Sequence, residues 1–249
     1  MIQVIQRTFD ILEFLAQAPD QPRPLGEIAR TLSLNPGTCA NILKTMVARG
    51  YVNQVAPKKG YTLGPAAYAL VRNGPYRRDL VQAAELPMTR LARDLGETVL
   101  IAALHRHRRL TLCQVEGDKD LQVRSDVTTT EDIYSLATGR LLLAYLSGDE
   151  LETFILRHGL PRKSWPSAQT REDLEAGLRE IRTEGEIVTG SGEVVAVARP
   201  LREGEKVVAA LGLFLPRFRF RGDHRKKILA GMKATAAEIT QRLSRGNTS

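Results

Sequence analysis

Four groups of residues in this chain have types and spacings that invite chemistry. Asn35, Gly37, Thr38, Asn41, Lys44 and Thr45 cluster within one short stretch and combine amide, hydroxyl and ammonium groups with very small neighbours. An Asn side chain pairs bidentately with adenine, a Thr hydroxyl reaches a base edge or a phosphate, and a Lys neutralises a phosphate. The chemistry is recognition of duplex DNA rather than bond making. Lys58 and Lys59, followed by Tyr61, stand where a short hairpin turns and would meet the phosphate backbone or the minor groove. His105 and His107, with Cys113, Glu116 or Asp118, are of ligand type for a metal ion and are the only candidates for a metal-assisted hydrolase. Against that, Arg106, Arg108 and Arg109 crowd the same segment and repel a cation, and no G-x-S-x-G, P-loop or G-x-G-x-x-G motif is present. The leading reading is therefore a protein without enzymatic activity, metal or cofactor; the alternative is a ligand-binding or metal-dependent enzymatic protein whose N-terminal module serves protein interaction. Finally, Ala137-Thr138-Gly139 opens an apolar helix, and its free N–H groups suit a carboxylate.

The elements that must position these groups follow from periodicity. Ile5, Phe9, Leu12, Leu15 and Ala16 recur at helical spacing, and Pro19, Pro22 and Pro24 close that helix. Leu25, Ile28, Ala29 and Leu32 mark a second, short helix. Asn35 as N-cap, Pro36 in the first turn and Gly50 as the stop after Arg49 frame a third. On its wheel Cys39, Ile42, Leu43, Met46 and Val47 face inward, which leaves Gly37, Asn41, Lys44, Thr45 and Ala48 outside. A backbone that must enter a major groove about 12 Å wide needs such a small outer face. Tyr51–Val55 and Gly60–Leu63 read as two strands joined through Ala56–Lys59, so a hairpin wing follows the third helix. The order is that of a winged helix-turn-helix, with Ala66–Arg72 as a linker helix and Asn73-Gly74-Pro75 as a hinge.

Beyond the hinge helices and strands alternate. Arg78–Leu95 is helical, and Val99–Leu104, Leu110–Glu116 and Leu121–Val123 read as strands. Helical stretches at Leu136–Leu146, Asp149–Arg157 and Arg171–Glu184 precede strands at Val194–Ala198 and Val207–Leu215, and Ile228 to Leu243 marks a closing amphipathic helix. The fold class is α+β, divided into residues 1–72, a winged helix-turn-helix with its linker, and residues 76–249, an α/β domain. The basic run Arg217 to Lys227 before the last helix reads as a solvated loop, with an auxiliary DNA or partner contact as the alternative.

Composition agrees with this division. The 36 Lys and Arg against 28 Asp and Glu leave a net charge of +8, and residues 1–72 carry half of that excess. A basic surface favours phosphate backbones or anionic lipid, and the absence of any apolar run near the ~18 residues of a membrane span removes an integral membrane role. The 2 cysteines, Cys39 and Cys113, form no CxxC or disulfide framework, so the expected compartment is the reducing cytoplasm.

At this point the residues resemble a known family. Val4–Leu12, Leu25–Val52 with its Arg49-Gly50-Tyr51-Val52, Gly60–Gly64 and Ala137–Ala144 are similar to stretches of the IclR family of bacterial transcription regulators. The resemblance implies a GAF-like C-terminal domain that binds a small-molecule effector, a homodimer or dimer of dimers, and a palindromic operator on double-stranded DNA. The chain departs from the family at the recognition helix, where Pro36–Asn41 replaces Pro-Lys-Ser-Thr-Val-His-like residues. It departs again in the effector domain. Asp132–Leu136 replaces "P-L-H-A-T", Ala196 stands where Cys is common, and Gly212 and Phe214 stand at small hydroxyl positions. With Leu136, Ala196, Gly212 and Phe214 beside Ala137, Thr138 and Gly139, the pocket reads as apolar with an anion-friendly helix end. It fits an aromatic ligand, or a packed dimerisation domain with none.

Overall fold

The computed structural model describes residues 2–56, 59–72, 77–118, 129–130 and 132–246. Lys58, the hinge Asn73-Gly74-Pro75 and the expected strand Leu121–Val123 lie outside the described residues. The chain forms two compact units, Met1–Tyr76 and Arg77–Ser249.

In the first unit, α1 (Gln3–Ala16), α2 (Leu25–Thr31) and α3 (Pro36–Ala48) precede β1 (Val52–Ala56), β2 (Gly60–Leu63) and α4 (Pro65–Arg72). Ile11, Phe14 and Leu15 of α1, Ile28 and Ala29 of α2, and Cys39, Ile42, Leu43 and Met46 of α3 form one core, closed by Val52. The α1 stripe differs from the sequence reading, since Ile5 and Phe9 are exposed by 49% and 58%. Helical geometry explains it: Ile2, Ile5 and Phe9 fall on a flank of α1 away from the Ile11–Phe14–Leu15 face. The β1–β2 hairpin gains a third member where Arg23 and Tyr61 exchange both backbone hydrogen bonds at 2.9 Å. Gly60 permits that approach, because a Cβ there would lie 2.9 Å from the Arg23 backbone and the residue's φ is +110°.

The second unit is built on an antiparallel sheet of order β5-β4-β3-β8-β7-β6. Its strands are β3 (Thr98–His105), β4 (Arg108–Val115), β5 (Thr129–Thr130), β6 (Ile187–Ser191), β7 (Val194–Glu203) and β8 (Lys206–Pro216). Residues alternate between the two faces as the pleat requires. Val99, Ile101, Ala209, Leu211 and Leu213 point to one face, where α5 (Arg78–Leu95) and α9 (Gly222–Gly246) cover them. Leu100, Ala102, Ala198 and Ala210 point to the other, beneath α6 (Ala137–Ala144), α7 (Gly148–His158) and α8 (Arg171–Glu184). Both faces are covered, so β8 is apolar along nearly its whole length.

This second face is lined by small residues, which lets α6 lie close against the sheet. A Cβ on Gly212 would come within 2.6 Å of Thr138 Cγ2, and one on Gly139 within 2.1 Å of the Ile133 carbonyl oxygen. Two parts of the sequence reading change here. The edge strand β6 escaped it, since Ile187-Val188-Thr189-Gly190-Ser191 has little apolar patterning of its own and is held by pairing with β7. The basic run Arg217 to Lys227 is not a loop: Arg217–Arg219 make a 3-10 turn and Arg225–Lys227 lie inside α9.

Candidate nucleic-acid interface and ligand cavity

The outer face of α3 is the first candidate site. Cys39, Ile42, Leu43 and Met46 anchor the helix in the core, while Gly37, Asn41, Lys44, Thr45 and Ala48 are exposed and Thr38 is half-buried. Asn35 holds the helix start, its Oδ1 accepting from Gly37 N at 2.9 Å and Thr38 N at 3.4 Å. Its amide oxygen is therefore a cap rather than a free reader. The Thr45 hydroxyl donates to the Asn41 carbonyl at 3.0 Å, which leaves Thr45 to meet a partner through its methyl group and its oxygen as acceptor. Asn41 and Lys44 keep their side-chain polar groups on the exposed face. The positive helix end, the Asn41 amide and the Lys44 ammonium form a surface whose chemistry suits phosphates and base edges.

The wing contributes less than its residues promise. Lys59 is exposed in the hairpin turn, but Tyr61 packs half-buried against the core with both backbone groups committed to Arg23.

The second candidate site is a cavity of about 330 Å³ between α6 and the sheet. Leu136, Ala137, Thr138, Ala196, Gly212 and Phe214 all stand in its wall. Gly139 does not, because it is turned against Ile133. The helix end that faces the cavity has no side-chain cap.

One residue of the wall was not anticipated. Arg109 lies on β4 opposite Leu104, so alternation turns it and Thr111 toward α6. It is 2% exposed, and its Nε donates to Thr138 Oγ1 at 3.0 Å and its Nη1 to Thr111 Oγ1 at 2.9 Å. Burial pushes its pKa down to about 10, so it stays a cation at neutral pH. The signal that finds it is the hairpin register. A two-residue loop at Arg106-His107 points Arg109 inward, whereas a looser turn leaves all the arginines in solvent. A half-buried arginine, Arg140, is spent on structure, donating to the Tyr134 and Ser164 carbonyls at 2.6 and 2.8 Å over the Trp165 ring.

The histidine pair does not share a strand face. His105 ends β3, while Arg106 and His107 form the turn with φ of 48° and 66°. His107 lies 6.2 Å from the Phe154 ring and 6.3 Å from His158. Among the described residues no group of three or more His, Cys, Asp or Glu is placed to hold a metal, and no helix is long and apolar enough to cross a membrane. Cys113 sits 3.7 Å from the Met88 sulfur, and burial raises its thiol pKa to about 11.

Comparison with known proteins adds the following. The family model described as "IclR helix-turn-helix domain" matches residues 4–56, and that described as "Bacterial transcriptional regulator IclR C-terminal" matches residues 76–241. The chain is similar to the HTH-type transcriptional regulator KdgR of Escherichia coli, with 24% identity across 97% of this chain and 93% of that one. Its fold is shared with the IclR protein of Thermotoga maritima, at TM-score 0.72 and 21% identity over 98% of this chain and 100% of that one. It is shared too with an IclR homologue of Microbacterium hydrocarbonoxydans complexed with 4-hydroxybenzoate, at TM-score 0.73 and 20% identity over 96% and 98%.

Proposed function

We propose, because this chain belongs to the IclR family of transcriptional regulators, that it controls transcription by seating α3 in the major groove of operator DNA, with the cavity beside α6 as the effector site. The observation that carries the DNA contact is the α3 surface. Its outer residues are small or hydrogen-bonding and exposed, while four apolar residues fix its orientation from behind. Gly37, Thr38, Asn41, Lys44 and Thr45 make the contacts with DNA, Asn35 holds the helix that presents them, and Lys58 and Lys59 meet phosphate from the wing. The protein is a cytoplasmic regulator rather than an enzyme.

The operating unit is a homodimer or a dimer of dimers on a palindromic operator. The exposed apolar flank of α1, with Ile2, Ile5 and Phe9 exposed by 65%, 49% and 58%, supports it, since such a patch is covered in a symmetric pair. The cavity binds a small molecule, which changes DNA affinity only as far as it prefers one oligomer geometry over another. Such coupling is typically about 1–3 kcal/mol and reciprocal.

A filter-binding titration on bulk duplex DNA tests the DNA contact. With six to ten phosphate contacts the affinity falls about 10³–10⁵-fold between 50 and 200 mM salt, and Lys59→Ala lowers the slope by about one unit. An affinity indifferent to salt means that the first unit is a protein-interaction module.

A further inference from the structure

The basic run after β8 takes no part in the α3 surface or in the cavity beside α6, and half of its cations are occupied locally. Arg219 donates to the Glu97 carboxylate from Nε at 2.8 Å and from Nη2 at 2.6 Å. Lys226 pairs with Asp223 at 3.2 Å, and Arg217 donates to the Gly192 carbonyl at 2.8 Å. Arg221, Arg225 and Lys227 are exposed, and among the described residues no carboxylate pairs with them. They flank the first turn of α9, a helix of 25 residues whose N-terminus adds partial positive charge. Phe218 stands in the same patch, 53% exposed on the Arg217–Arg219 turn. We infer that this patch binds a single-stranded nucleic acid: Arg221, Arg225 and Lys227 hold its phosphates at the start of α9, and one base stacks on the open face of Phe218.

The aromatic ring is mounted rather than merely exposed. The Arg219 guanidinium carbon lies 5.6 Å from the Phe218 ring centroid, and the Glu97 carboxylate, 2% exposed, holds that guanidinium through both oxygens. His224 Nε2 lies 3.1 Å from the same carboxylate. Phe220, half-buried against the core with Arg225 over its ring, anchors the other side of the turn. A ring held this way loses little freedom on binding, and the cation behind it adds to the attraction for a stacked base. Charge selects a polyanion, and the ring selects the strand. Bases in a duplex already stack on both faces, whereas a single strand offers an open π-face to an aromatic platform. A lipid surface would instead require a broad apolar face. Among the described residues of α9 and its preceding turn, Phe218 alone is a large apolar side chain left exposed. The inference concerns the second unit and does not depend on how α3 meets duplex DNA.

The test uses the full chain and a fluorescein-labelled oligodeoxythymidylate of about 12 nucleotides, within the usual span of such sites, followed by anisotropy. Phe218→Ala lowers its affinity about five- to 150-fold, the worth of one stacked base, and Phe218→Trp restores it. Arg221→Ala with Lys227→Ala reduces the salt slope by about 1.4 units, at about 0.7 for each phosphate contact of a single strand. An abasic strand of the same length binds wild type and Phe218→Ala alike, and neither replacement changes the affinity for duplex DNA. Dichroism melting curves confirm that these surface variants fold. An oligodeoxythymidylate that does not bind, or an affinity indifferent to Phe218→Ala, overturns the inference. So does an equal loss on strand and duplex, which makes the patch an auxiliary duplex contact. Binding to phosphatidylserine vesicles that falls with Phe218→Ala, while binding to the strand does not, assigns the patch to a lipid surface instead.

Discussion

Replacing Asn35 with alanine removes the acceptor that caps the recognition helix, and the two units of the chain make its effect separable. The Asn35 oxygen holds Gly37 N at 2.9 Å and Thr38 N at 3.4 Å, so one well-formed bond and one long one are lost. Asn35 is exposed and water partly replaces the lost acceptor. The cost is then about 1 kcal/mol, in the middle of the range for N-cap replacement. For a domain of 60–100 residues that is a fall of about 4–8 °C in melting temperature. The chain has 1 tryptophan, Trp165, and it is buried in the second unit. Its fluorescence follows that unit, while circular dichroism follows both. In urea, Asn35→Ala shifts the part of the dichroism change that belongs to the first unit and leaves the Trp165 midpoint in place. Asn35→Asp keeps the cap and adds a charge favourable to the helix end, so stability is retained. It weakens DNA binding, because that charge sits where a phosphate must approach. Equal instability of the Asp and Ala variants, or an equal shift at Trp165, refutes the reasoning.

Asn41→Ala lowers discrimination at one base position by about 1–3 kcal/mol and leaves the melting curve unchanged, since residue 41 is exposed; binding to a set of single-base operator variants is the measurement. Gly139→Ala destabilises the second unit by about 1–3 kcal/mol, because the added Cβ lies 2.1 Å from the Ile133 carbonyl oxygen. The Trp165 unfolding midpoint reads that loss. Cys113 resists alkylation by iodoacetamide at pH 8 in the native state and reacts in denaturant, as burial raises its thiol pKa from 9.0 to about 11. The folded state holds that proton more tightly than the unfolded one, so native stability falls as pH rises through this window.

Much of the local structure was legible in the sequence because its causes are local. Asn35 before Pro36 and Gly37 specifies a helix start through hydrogen bonds that span only a few residues, and the structure contains that cap. The spacing of Cys39, Ile42, Leu43 and Met46 assigns an inner and an outer face to α3 before any partner is known, because helical period alone separates them. The α+β class follows in the same way from the change of period after Gly50 and from the strand runs that follow the Arg78–Leu95 helix.

What the tertiary structure alone decided concerns groups whose environment comes from distant residues. The apolar side chains of α1 supply two stripes, and the packing of α2 and α3 chose the Ile11–Phe14–Leu15 face, leaving Ile5 and Phe9 outside. β6 exists because β7 offers it a ladder, not because its own residues favour a strand. Arg109 is the clearest instance. In sequence it is one arginine among four basic neighbours. Only the hairpin register at Arg106-His107, with α6 packed over the sheet, turns it inward while Arg108 remains exposed. Strand alternation fixes relative orientation from one residue to the next, but which face becomes interior is set by what packs on it, and that information lies in another part of the chain.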